Sequence, residues 1–152
     1  MNILVLNPGS ATLKFGLYQM PDSSKASTTP ESATVLASGI VEPIGAPQSE
    51  LKMFVATQKP SIEPVEATTR VQAVEQIIRR LLAYFGESTQ TPIAIDAVGC
   101  RVVHGGPRLV KPTRVTASVL DELRALKELA PLHIPADVAI LERCNNHCRR
   151  RR

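Results

Sequence analysis

Between Asn7 and Lys14 the sequence reads Asn-Pro-Gly-Ser-Ala-Thr-Leu-Lys, a short run of groups that phosphate chemistry uses. Gly9 lets the backbone approach a ligand closely, Ser10 and Thr12 offer hydroxyls, successive turn N–H groups can line an anion, and Lys14 supplies a positive point charge. The run is not a Walker A loop, because no second glycine precedes Lys14 and the lysine falls in a strand pattern instead of opening a helix. An ordinary hairpin with a solvated lysine satisfies the same pattern. A second cluster, Gly99-Cys100-Arg101-Val102-Val103-His104-Gly105-Gly106, places an arginine at the end of an apolar strand, just before a histidine and paired glycines. Such an arginine can hold a carboxylate or phosphate through charge-assisted N–H bonds. An arginine paired with a local acid, beside a histidine capping a turn, fits these residues too. Cys144, His147 and Cys148 lie close together near the C-terminus, but three ligands with no second pair elsewhere make a poor zinc pattern.

Two strands must carry the first cluster. Ile3 to Leu6 is an apolar run too short for a buried helix and reads as a fully buried strand, Asn7 to Ser10 as the turn, and Thr12 to Tyr18 as a strand with Leu13, Phe15 and Leu17 on one face. Lys14 then points away from the core. Pro21 to Ser32, rich in Ser, Thr and Pro, reads as a loop, and Thr34 to Val41 and Leu51 to Thr57 read as strands. Pro60 and Pro64 make Val55 to Glu66 irregular, so four strands precede any helix. The 3.6-residue period predicts a helix from Arg70 to about Phe85, with Thr69 and Gln72 as a capping box, Gly86 closing it, and Arg79 and Arg80 facing its C-terminal dipole. Ile93 to Val98 is the strand that leads into the second cluster. Ser118 is read as the cap of a helix from Val119 to Leu129 that Pro131 ends. Pro135 opens a third helix to about Arg143, with Ile134 a poor cap costing about 1 kcal/mol against Asn or Ser.

The chain has 152 residues, 43% of them apolar, enough for one substantial core and a single domain. Its formal charge of +4 resides in Arg149 to Arg152, since without them basic and acidic residues balance at 14 each. The basic character therefore belongs to a tail read as solvated and disordered, which argues against a nucleic-acid surface on the domain. No apolar stretch is long enough for a membrane span, and three sparse cysteines argue against a disulfide framework, so the reading is cytoplasmic with no membrane partner.

With Ala130-Pro131-Leu132-His133-Ile134-Pro135 added to the two clusters, and with strands filling the interval between the first two stretches, the chain resembles the N-terminal part of acetate kinase. The resemblance implies an α/β fold, the N-terminal lobe of the acetate and sugar kinase, heat-shock cognate and actin superfamily, a ribonuclease H-like mixed five-stranded sheet with flanking helices. It implies reversible, Mg²⁺-dependent transfer of the ATP γ-phosphoryl group to acetate, giving acetyl phosphate and ADP. Asn7 matches the magnesium-linked residue, and Lys14, with Ser10 and Thr12, the nucleotide phosphate site. Arg101 matches the substrate arginine, Val103 and Leu132 the residues around the acetate methyl, and His133 a histidine near the active site. Complete members form homodimers. Butyrate kinase shares the Asn-Pro-Gly-Ser start, but the Arg-Val-Val-His-Gly-Gly and Ala-Pro-Leu-His stretches favour acetate kinase over it or another short-chain acyl kinase.

Thr12, Cys100 and Ile134 stand where the family usually has Ser, His and Asn. The match covers residues 1–143 and leaves 144–152 as an unmatched tail; the sequence contains no Asp-Thr-Ala-Phe-His segment with the family's catalytic aspartate, nor the later histidine and arginine. The expectation is a fragment, inactive alone. The reading from a different class is a non-catalytic module whose arginine tail binds an acidic partner.

Overall fold

The computed structural model describes residues 1–21, 32–55, 58–88 and 93–149, and among them lie six strands and three helices. The chain opens with β1 (Asn2–Pro8) and β2 (Leu13–Gln19), then β3 (Thr34–Glu42), β4 (Ser49–Val55) and β5 (Ser61–Val65). Helix α1 (Arg70–Ser88), strand β6 (Ala97–Cys100), α2 (Ala117–Ala125) and α3 (Ile134–Arg149) follow. The strands form one mixed sheet in the order β5-β4-β3-β2-β1-β6, antiparallel throughout except that β6 runs parallel to β1. Long parallel crossovers need a helix, and α1 supplies it between β5 and β6.

One face of this sheet carries the core. Leu4 and Leu6 of β1, Leu13, Phe15 and Leu17 of β2, and Val41, Leu51 and Met53 beyond them pack against Val74, Ile77, Ile78, Leu81 and Phe85 of α1 and Ile140 of α3. A smaller cluster of Leu120, Leu123, Ile134, Val138 and Leu141 joins α2 to α3. The other face is open, which corrects the reading of β1 as buried on both sides: its burial alternates, and Val5 is 41% exposed. A continuous apolar run does not itself bring a second layer of helices.

Other differences have local causes. Residues 61–65 form a strand in spite of Pro64, because β5 is the sheet edge and its outer side needs no N–H. Among the described residues this makes five strands before the first helix and six altogether. Helix α1 passes through Gly86, whose φ is not positive, so it does not end there, and Arg79 and Arg80 lie short of the last turn. Arg80 instead pairs with Glu63 of β5 and Arg79 donates to Gln76. The capping box is present: Gln72 N–H donates to Thr69 Oγ1 at 3.2 Å and Thr69 N–H to Gln72 Oε1 at 3.2 Å. β6 starts later than expected, at Ala97. Thr116, not Ser118, caps α2, accepting from Val119 N–H, and the helix tightens into turns after Ala125 as the chain nears Pro131.

Helix α3 begins at Ile134, whose N–H donates to Ala130 O at 2.9 Å, and continues to Arg149. Ile134 is not a cap at the surface but a fully buried core residue, and the helix outlasts Arg143 because Cys144 returns to the core side. Residues 22–31, where the Ser/Thr/Pro-rich loop was expected, lie outside the described residues, as do Thr57 and Arg150 to Arg152. Among the described residues no helix is long and apolar enough to cross a membrane.

Candidate active site

Strand β1 is the axis of the site, because it is paired on both sides. On one side Asn7 is the antiparallel partner of Lys14; on the other Leu6 is the parallel partner of Cys100. Alternation puts Asn7 and Lys14 on the open face of the sheet, both exposed, while Leu6, Leu13 and Phe15 enter the core. Arg101 follows β6 directly. Its N–H donates to Leu6 O at 3.0 Å, extending the pairing with β1, and its Nη1 donates to Asn7 Oδ1 in a long contact of 3.4 Å. Register is fixed at the far end as well, where Asn2 N–H donates to Asp96 Oδ2 at 2.6 Å and Asn2 Nδ2 to Ala94 O at 3.0 Å. Three of the residues singled out by sequence, Asn7, Lys14 and Arg101, thus meet at the carboxyl end of the two parallel strands, the end at which open α/β sheets bind ligands.

The turn between β1 and β2 lies one residue or two later than the sequence suggests, since Pro8 still pairs with Leu13. Gly9 N–H donates to Thr12 O at 2.8 Å, and a Cβ on Gly9 would lie 2.5 Å from Thr12 Oγ1, so any larger residue there would have to displace that hydroxyl. Ser10 is exposed and Thr12 half-buried within it. The turn is held from below by a residue that sequence reading took only as a helix start: Arg70 Nη2 donates to Gly9 O at 2.7 Å and to Ser10 O at 3.1 Å. Two consecutive carbonyls face the guanidinium, which leaves the N–H side of the turn for an anion.

On the β6 side the segment after Arg101 folds into a turn. His104 Nδ1 accepts from Gly106 N–H at 2.9 Å, the turn-capping role, and Gly106 has φ +63°, a conformation L side chains rarely adopt. Arg108 pairs with Glu122 at 2.7 Å and ties this segment to α2. Val103 and Leu132 are 44% and 83% exposed, so neither is enclosed in a pocket within this chain. His133 sits half-buried in the turn before α3.

A second residue that the sequence did not reveal is Asp137, in the first turn of α3 and 1% exposed. Its Oδ2 accepts from Val103 N–H at 3.2 Å, and its Oδ1 has no partner. Burial pushes its carboxyl above the usual value, against the opposing pull of the Val103 N–H and the charges of Arg70, His133 and Arg101. The available sequence signal was position: Asp137 lies on the Ile134, Val138, Leu141 stripe, where an apolar residue belongs. At the end of β6, Cys100 is pushed up to about 12 by burial and then by Cys144 and Asp137, which makes it inert as a nucleophile at neutral pH.

As for a metal, no group of three or more His, Cys, Asp or Glu side chains suited to an ion occurs among the described residues. Asn7 Oδ1 is one exposed amide oxygen of the hard type that Mg²⁺ prefers. That donor set fits an ion arriving with nucleotide phosphates, not one resident on the protein. The large cleft of about 1000 Å³ lies elsewhere, between β6, residues 109–117 and helices α2 and α3, and Asn7, Lys14, Arg101 and His133 do not line it.

The acetokinase family model matches residues 2–150. The acetate kinase of Coprothermobacter proteolyticus is 36% identical over 138 residues, covering 91% of this chain and 32% of that protein. That of Deinococcus radiodurans is 37% identical over 139 residues, with 91% and 31% covered. Among solved structures, Porphyromonas gingivalis acetate kinase superposes with a TM-score of 0.76 at 30% identity, covering 95% of this chain and 34% of that one. A propionate kinase from Francisella tularensis gives 0.72 at 27% identity, covering 95% and 33%. The chain spans about a third of the length of these relatives.

Proposed function

The chain belongs to the acetokinase family, and on that footing we propose that it supplies the phosphate-binding turn and the acyl-anion arginine of an acetate kinase, which moves the γ-phosphoryl group of ATP reversibly to acetate. The observation that carries the reading is the convergence of Asn7, Lys14 and Arg101 at one end of β1 and β6. Phosphoryl transfer asks a protein mainly to position the reactants and to neutralise charge on the transferred group. Lys14 offsets charge on the nucleotide phosphates, and the turn N–H groups with Ser10 and Thr12 hold their oxygens. Arg101 binds the carboxylate of acetate, or the phosphate of acetyl phosphate, as a charge-assisted pair. Val103 and Leu132 offer apolar surface to the methyl group, and His133 stands beside the anion. A Mg²⁺ ion travelling with ATP would be held through Asn7 Oδ1 and would neutralise β- and γ-phosphate charge. Arg101 donates to that same oxygen in a long contact of 3.4 Å, which keeps its guanidinium beside the amide that would hold the ion. The sequence holds no Asp-Thr-Ala-Phe-His segment, so these groups make one side of a site whose catalytic aspartate lies on other residues.

Titrating the isotope-labelled 152-residue chain by NMR tests this. Mg-ATP should shift the amides of Asn7 to Lys14, and acetyl phosphate those of Arg101 to Gly106, with Arg101→Ala abolishing only the second. Shifts confined to the cleft around residues 109–117, or none with either ligand, would refute the assignment. Because one structural neighbour is a propionate kinase, acetate, propionate and butyrate belong in the same titration as the measure of acyl range.

A further inference from the structure

Asp137 is an anomaly of placement. It is a carboxylate on the buried stripe of α3, where Ile134, Val138 and Leu141 fill the neighbouring positions with hydrocarbon. Burying it is unfavourable unless its hydrogen bonds and charges are met. Only one oxygen is met, and by a group from the acyl side of the site: the Val103 N–H, 34 residues away in sequence. Arg70, His133 and Arg101 each draw the Asp137 carboxyl back toward the ionised form, and each belongs to a different part of that site. Arg70 holds the phosphate turn, Arg101 contacts Asn7, and His133 precedes α3. The charge of Asp137 also helps push the Cys100 thiol of β6 up.

We propose that Asp137 is a positioning residue, which fastens the Arg101 to His104 segment onto α3 so that Arg101 and His133 flank a single anion-binding point. It acts through the Val103 backbone and touches no substrate. This deepens the reading of the acyl site given above and rests on it. An apolar residue at position 137 would fill the space at lower desolvation cost but would leave the Val103 N–H without its acceptor and the segment free to lift from the helix.

The test compares Asp137→Asn and Asp137→Leu in the full 152-residue chain. Both substitutes are close in size to aspartate or leucine neighbours, so both should fold, and only asparagine keeps an oxygen for Val103 N–H. Hydrogen exchange of the Val103 amide, read without ligand, should accelerate about tenfold in Asp137→Leu and stay within about threefold of wild type in Asp137→Asn, with Leu4 and Leu17 amides unchanged as sheet controls. Acetyl phosphate affinity should follow the same order. Unchanged Val103 exchange in Asp137→Leu, or equal acceleration in both variants, would overturn the positioning role. A wild-type chain that ignores acetyl phosphate would refute the acyl-site reading instead, and the exchange of Val103 separates the two failures.

Discussion

The turn at Gly9 and Ser10, the proposed phosphate turn, depends on a contact from outside it, and Arg70→Met measures how much. Methionine keeps most of the stem that packs at the start of α1 and removes the guanidinium, which donates to Gly9 O at 2.7 Å and to Ser10 O at 3.1 Å. A hydrogen bond from a charged donor contributes about 1.5–3 kcal/mol when desolvated. The Gly9 contact is part-buried and the Ser10 contact exposed, so water replaces most of the second. The local loss is then about 1–2 kcal/mol, which is roughly a 5- to 30-fold rise in the opening of the turn. The reporter is the Gly9 amide, bonded to Thr12 O at 2.8 Å, followed by hydrogen exchange. Its protection should fall by that factor while amides of Leu4, Leu17 and Ile77 keep theirs, and Mg-ATP should bind more weakly in proportion. Arg70→Lys should recover only part, since one ammonium cannot present the same planar fork to both carbonyls. Gly9 protection equal to wild type in Arg70→Met, at equal global stability, would show that the turn holds itself and refute the reasoning.

Two further outcomes bear on α3. Ile134→Asn improves a helix cap if the residue is at the surface, but Ile134 is fully buried between α2 and α3, so the substitution should destabilise by about 3 kcal/mol or more in urea unfolding, from lost burial and an unmet amide; a stabilised variant would contradict the observed packing. Asp137→Asn should be more stable than wild type near neutral pH, because an acid whose folded value is raised by burial loses stability as pH rises above the ordinary value of 3.8, Arg70, Arg101 and His133 offsetting only part. The gap should close as pH falls to that value, and a gap that widened in acid would show the cationic partners outweighing burial.

Much of the fold was legible because its signals are periodic. Alternation in β2 and the 3.6-residue stripe of α1 mark which side chains meet the core, and both hold to within a few residues. What escaped depends on neighbours far away in sequence. Pro64 looks like a breaker until β5 is known to be the edge of the sheet, paired through Glu50 on one side only. Gly86 looks like a stop signal, but ending a helix on glycine needs a left-handed residue there, and the backbone never turns that way. The run Ile3 to Leu6 looks buried on both faces, yet among the described residues no helix covers the face that Val5 and Asn7 share.

The same distinction divides the site. Asn7, Lys14 and Arg101 could be found from residue type, because each lies in or just past a strand pattern and a chain reversal brings two of the strands together. Arg70 reads as an ordinary helix residue until its partner is seen 61 positions away at Gly9, and Asp137, out of place on an apolar stripe, shows no role until Val103 is seen 34 positions away. These two are the side chains that hold the ligand-facing segments in place. Arg70 turns the carbonyls of Gly9 and Ser10 inward, and Asp137 takes the Val103 N–H, so the proposed phosphate turn and acyl segment are each fixed by a helix side chain. It follows that substitutions at Lys14 or Arg101 should weaken binding without moving the backbone, whereas substitutions at Arg70 or Asp137 should move the backbone first and weaken binding as a result. Hydrogen exchange at Gly9 and Val103 in the ligand-free chain distinguishes the two classes: loss of protection at either amide in a Lys14 or Arg101 variant would break the division.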